Sequence, residues 1–162
     1  DIAWHFIGHL QANKVKYIAP YISMIEAVDT FRLLKEINKH AAKHNRIIDC
    51  LLEVHIAQEE TKYGFTPEAC RQLLADGEWR ALKHIRLRGL MCMATNTDDT
   101  SQIRREFQLA LQLFEELKST YFSDKDYFNV KSWGMTHDYK LAIEEGSNHI
   151  RVGTAIFGPR TY

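Results

Sequence analysis

The chain has no surplus of either charge: 21 Lys and Arg balance 21 Asp and Glu. A neutral balance gives no electrostatic pull toward nucleic acid or an anionic membrane. No apolar run approaches the ~20 residues a membrane helix needs, and no signal-peptide pattern opens the sequence. An initiator Met is absent, so Asp1 is not expected to be the native start. The three cysteines, Cys50, Cys70 and Cys92, are odd in number and far apart. That excludes a disulfide framework and predicts a reducing, cytoplasmic setting with each thiol as a small buried hydrophobe. There is no low-complexity tract, no Ser/Gly linker and no G-x-G-x-x-G turn, the last of which a doubly wound nucleotide-binding sheet would carry.

What is there alternates. Strand-like runs at Trp4–Gly8, Met24–Val28, Ile47–Ile56, Leu87–Met93, Phe128–Trp133 and His149–Gly153 are short and mostly apolar, as strands buried on both faces should be. Between them, Phe31, Leu34, Ile37 and Ala41 form one helical stripe, with Asp29 or Thr30 as N-cap. A second stripe runs through Ile103, Phe107, Ala110, Leu111, Phe114 and Leu117. Thr66-Pro67-Glu68 reads as a helix start, and Gly77 and Gly146 as helix ends. Alternating strands and helices predict a parallel sheet. The chain's 162 residues amount to one domain, yet fall short of the ~250 of a complete eight-unit βα barrel.

The tail carries the strongest chemical signal. Lys131-Ser132-Trp133-Gly134-Met135-Thr136 and His149-Ile150-Arg151-Val152-Gly153-Thr154 are two strand-like runs that each end in Gly plus a hydroxyl residue. Such residues suit a phosphate cup: Gly lets backbone N–H groups approach an anion, and a following helix N-terminus adds donors. In βα barrels this site lies after the last two strands. Ser132, Thr136, Gly153 and Thr154 are the phosphate candidates. Thr136 could equally be an ordinary helix N-cap. Spacing leaves Arg151 as either a ligand contact or an ion-pair partner at the barrel mouth.

The same residues carry a resemblance. Ser132-Trp-Gly-Met-Thr136 and Arg151-Val-Gly-Thr-Ala-Ile-Phe-Gly158 resemble the closing motifs of the pyridoxal phosphate homeostasis proteins, relatives of the alanine racemase N-terminal barrel. Trp4-His-Phe-Ile-Gly-His-Leu-Gln11 with Asn13-Lys14 resembles that family's middle-barrel signature. Glu59-Glu-Thr-Lys62-Tyr-Gly64-Phe65 and Arg88-Gly-Leu-Met91 resemble its later segments, in family order. The resemblance implies a (β/α)8 TIM-type barrel of the alanine racemase N-terminal kind. The first two βα units, which hold the cofactor lysine, are expected to be missing, so that residues 1–162 are the C-terminal six units. It implies binding of pyridoxal 5′-phosphate (PLP) and control of its intracellular level without robust catalysis. Partners would be PLP and PLP-dependent apo-enzymes, and the complete protein is expected to be a monomer. Departures from the family pattern are Trp133 for Met, Thr136 for Ser and His55 for Asn.

In that frame Arg151 would face the pyridine nitrogen. Since an Arg cannot give up its proton, the ring stays neutral and is a weak electron sink. His5 would line the cofactor pocket. Lys62 is either a mouth lysine that meets the cofactor or a loop cation paired with Glu59 or Glu60. The alternatives are a PLP-dependent racemase, which would need a Tyr from a further domain, and a barrel enzyme acting on another phosphorylated metabolite. No catalytic residue is assigned. Asp49 and Glu53 share one strand face, but nothing in the sequence supplies them with a substrate. No metal site is expected: the His5/His9 and His40/His44 pairs lack further ligands. Asn96–Thr100 reads as a solvated βα loop with Thr100 as cap.

Overall fold

The computed structural model describes residues 1–60 and 63–161. Six strands, β1 (His5–Phe6), β2 (Met24–Val28), β3 (Ile48–Glu53), β4 (Ile85–Met91), β5 (Val130–Met135) and β6 (His149–Arg151), pair in sequence order. Every pairing is parallel. Helices α1 (Val15–Ile18), α2 (Phe31–Lys43), α3 (Pro67–Asp76), α4 (Thr100–Tyr121) and α5 (Tyr139–Glu144) fall between the strands, and α6 (Thr154–Phe157) follows β6. A sequential, all-parallel βα order is that of a barrel wall rather than a doubly wound sheet, whose strand order reverses. Each expected strand is present, with ends shifted by up to three residues.

The strand pleat sorts side chains into two compartments. Ile25, Cys50, Leu52, Leu87, Leu90 and Trp133 join the large core between sheet and helices. Met24, Ala27, Leu51 and Met91 form a second, smaller cluster on the inner face of the curl. The stacked rings of Phe122 and Phe128, with centroids 4.0 Å apart, fill the outer layer under α4. Each such ring is worth about 1.5–3 kcal/mol of burial.

Local chemistry sets the ends. Thr30 caps α2, its hydroxyl accepting from Leu33 N at 3.1 Å, and Thr66 caps α3 through Ala69 N. Gly77 closes α3 at φ +75°. Two expected caps move. Asp99, not Thr100, caps α4 by accepting from Gln102 N, because a carboxylate one residue earlier reaches the first turn. Asp138 rather than Thr136 precedes α5, and its carboxylate accepts from Met135 N.

Among the described residues β1 and β6 each lack a second strand neighbour. Exposed Trp4, Ile7, Ile156 and Phe157 flank these edges. The sheet nevertheless curls far enough that His5 of β1 stacks on His149 of β6, ring centroids 5.3 Å apart and planes 9° from parallel.

Gly134 makes a close approach that a side chain would break. At φ +104°, a Cβ there would lie 2.6 Å from Ala142 Cβ of α5. Gly153 has open space instead, with nothing within 4 Å of a built Cβ. Gly134→Ala is expected to lower stability by at least about 1–3 kcal/mol, and Gly153→Ala by no more than about 0.5 kcal/mol. Urea denaturation of the two variants beside the parent checks the contrast.

Candidate functional site

The inner face holds a carboxylate that strand chemistry alone would not place there. Glu26 lies mid-β2, in Met-Ile-Glu-Ala-Val, with no exposed surface. Burial alone would raise its pKa. Hydrogen bonds from His149, Ser132 and His5 outweigh that and hold it down at about 2. His5 Nδ1 donates to Oε1 at 2.9 Å, and His149 Nε2 lies 3.2 Å from the same oxygen. Ser132 Oγ donates to Oε2 at 2.6 Å, and Arg151 Nη1 stands 4.0 Å from it. One carboxylate thus joins β1, β2, β5 and β6.

Arg151 is the hinge between this cluster and the sheet's C-terminal rim. Its guanidinium is buried, with Nη1 donating to Ser132 O at 2.8 Å and Ser132 Oγ at 2.6 Å, and Nη2 to Cys92 O at 2.9 Å. Of five N–H donors, three hydrogen bonds to these acceptors leave capacity for a ligand. Just beyond it the chain opens. Gly153 N donates to Thr136 Oγ1 at 3.3 Å, which joins the two expected cup segments, and Gly153 and Thr154 are exposed at the start of α6.

The predicted residues therefore fall into two groups. Thr136, Gly153 and Thr154 meet at the rim. Ser132 and His5 lie behind Arg151 instead. Ser132 is fully buried with its hydroxyl committed to Glu26 and Arg151, and His5 is turned onto Glu26. Trp133 is in the outer core rather than the cup, its Nε1 lacking a hydrogen-bond partner among the described residues. His55, two residues past β3, has a buried Nδ1 likewise without one. His9 leaves His5 for Asp29 at 3.1 Å and stacks on Tyr63. Lys62 lies outside the described residues. The three thiols are buried and free; burial pushes Cys70 up to about 12, and Cys50 and Cys92 higher still.

Asp49 and Glu53 face the inside together, as their spacing predicts, but with different partners. Asp49 pairs with Arg86 and Arg88 near the strand starts. Glu53 is buried near the strand ends, and burial, with Asp29 adding repulsion and Arg151 opposing, raises it to about 7. Sequence reasoning missed Glu26 and His149. The available signal was Glu26 itself, a lone acid in a strand otherwise apolar on both faces.

Sequential parallel βα units, with an Arg and an open Gly-Thr turn at the last strand, define a barrel of the alanine racemase N-terminal type. Residues 3–161 match the family model described as alanine racemase, N-terminal domain. The chain is 38% identical to the pyridoxal phosphate homeostasis protein of Aquifex aeolicus (strain VF5) over 163 residues, covering 100% of this chain and 69% of that protein. With the protein of the same name from Haemophilus influenzae it shares 35% identity, covering 100% of this chain and 67% of that one. PipY of Synechococcus elongatus PCC7942, solved with PLP bound, superposes with a TM-score of 0.85 at 28% identity, over 98% of this chain and 71% of PipY. The chain belongs to the pyridoxal phosphate homeostasis protein family.

Glu53 gives this site a pH signature. Its folded pKa, near 7, lies above the ordinary 4.5, so the folded state binds the proton more tightly. Stability falls as pH rises from about 4.5 through 7, by at most about 3 kcal/mol. Glu53→Gln should flatten this slope, gaining more stability at pH 8 than at pH 5. Chemical denaturation at both pH values measures it.

Proposed function

We propose that this chain binds pyridoxal 5′-phosphate and serves control of its free intracellular level, as a reservoir that turns over no substrate. The observation that carries the reading is the buried, carbonyl-anchored Arg151 beside the open backbone at Gly153. The names of the relatives and the PLP in PipY support the choice of ligand.

The residues present fit the group. A phosphate needs unobstructed donors, and the rim offers the hydroxyls of Thr136 and Thr154 around a glycine whose Cβ position is empty. When bound, PLP supplies an aldehyde for amines and a ring that can accept electrons. Arg151 presents an N–H that it cannot surrender, so it would hold the pyridine nitrogen as an acceptor and would leave the ring unprotonated. Ser132 holds that guanidinium in place, and Glu26 balances its charge from below. His5 acts through Glu26 rather than on the cofactor. A neutral ring held in this way favours storage over racemisation. The recipients in this reading are PLP-dependent apo-enzymes in the cytoplasm, and the protein works as a monomer.

Equilibrium dialysis of the full-length protein against PLP and against pyridoxal tests both halves of the site. PLP is expected to bind at least ~10-fold more tightly, a difference of about 1.4 kcal/mol. The joint change Thr136→Val and Thr154→Val should erase that preference. Gly153→Ala should weaken PLP while leaving the unfolding midpoint where it was. Equal affinity for the two ligands would remove the phosphate cup. Racemisation of amino acids by the PLP-loaded protein, followed by chiral chromatography, would overturn the non-catalytic reading. Arg151→Ala should shift the absorption spectrum of bound PLP, and an unchanged spectrum would remove Arg151 from the ring.

A further inference from the structure

The cluster beneath Arg151 has an arrangement that charge neutralisation alone does not require. His5 Nδ1, Glu26 Oε1 and His149 Nε2 all lie within 4.8 Å of one another. The two histidine contacts with Oε1 measure 2.9 and 3.2 Å. Around a tetrahedral zinc ion with bonds near 2.0–2.1 Å, ligand atoms stand about 3.3 Å apart. Two of the three donor separations thus lie within a few tenths of an ångström of that spacing, and the third, between the two imidazole nitrogens, is no more than 4.8 Å.

We propose that His5, Glu26 and His149 form a binding site for a divalent transition metal ion of the zinc class. Two imidazoles and one carboxylate are a donor set that zinc accepts with a fourth position left open. The carboxylate is divided between two tasks. Oε1 faces the histidines, while Oε2 is held by Ser132 Oγ at 2.6 Å. Such a second contact fixes a metal-binding carboxylate in orientation. Arg151 Nη1 approaches only the Oε2 side, at 4.0 Å, so the carboxylate stands between the guanidinium and the ion.

Neutral imidazoles need lose no proton to bind. Each now donates to Oε1 and would turn to its other tautomer, moving the proton to the ring nitrogen away from Glu26. The histidine side chains are 25% and 33% exposed, whereas Glu26 has no exposed surface. Bound there, it ties β1, β2 and β6 together. The three ligands stand at positions 5, 26 and 149, too far apart for any sequence motif, and only the curl of the sheet assembles them.

The test uses the full-length, tag-free protein stripped of metal and of PLP, so that its result is independent of the cofactor reading. Titration with Co2+ should show saturable uptake of one ion per chain, with the visible bands of a low-coordinate Co2+ site that added Zn2+ bleaches. Zn2+ should raise the unfolding midpoint. His149→Ala should abolish the bands. His5→Gln, which keeps an N–H for Glu26 but has no imidazole, should abolish them too, and circular dichroism verifies that each variant is folded. Ser132→Ala should weaken the site ~10–100-fold, while the joint change His40→Ala and His44→Ala, on and just after α2, should leave it intact. Absence of saturable uptake, or uptake that survives both His149→Ala and His5→Gln, would overturn the proposal and leave the three residues as a hydrogen-bonded cluster only.

Discussion

The rest of the structure depends on a single buried negative charge. Glu26 sits where a βα wall ordinarily places an apolar side chain, and an unpaired carboxylate there would be prohibitively costly. It is tolerated because three other strands supply donors or countercharge: His5, Ser132, His149 and Arg151 converge from β1, β5 and β6 onto β2. Ser132 is 106 residues away in sequence. The contacts form only if the sheet curls, so satisfying the charge and shaping the wall are one event. Burial of the surrounding apolar layers supplies the driving force, and Glu26 selects the geometry.

The same charge organises the candidate site above it. Arg151 is held by Ser132 and by Cys92 O and is countered from below by Glu26. It therefore has a fixed position before any ligand arrives, which reduces the ordering cost of binding. Glu53 stands on its other flank in the opposite condition. Burial, with Asp29 nearby, raises it toward neutrality where Glu26 stays ionised. Two carboxylates on one inner face are thus pushed apart, one by burial and one by its hydrogen bonds, a pattern that marks functional sites. The rim residues differ again. Thr136, Gly153 and Thr154 lie at strand ends, joined by the Gly153 N–H to Thr136 Oγ1 bond, with an empty Cβ position at the glycine.

Much of this was legible in the residues. The six strands follow from short apolar runs between helical stripes, because a strand covered on both faces must be apolar throughout. Thr30 and Thr66 cap their helices for the local reason that a hydroxyl reaches the first-turn N–H groups. Thr136, Gly153 and Thr154 were readable as a group since each follows a strand end. Ser132 and His5 were readable as important, but not in their positions. A strand's pleat says which residues share a face and does not say which face of which neighbour they meet. Trp133, next to Ser132, is turned by strand alternation into the outer core.

By itself, then, the sequence determined the order of elements, their caps and the residues at the last two strand ends, because each depends on neighbours a few positions away. It also carried the family motifs. Only the tertiary structure decided that His5, Glu26, Ser132, His149 and Arg151 form one cluster, that Arg151 has its charge answered from beneath, and that burial raises Glu53. Those outcomes rest on distances between strands separated by up to most of the chain. No local pattern encodes them, since they arise when the parallel sheet curls and side chains of its first and last strands come into contact.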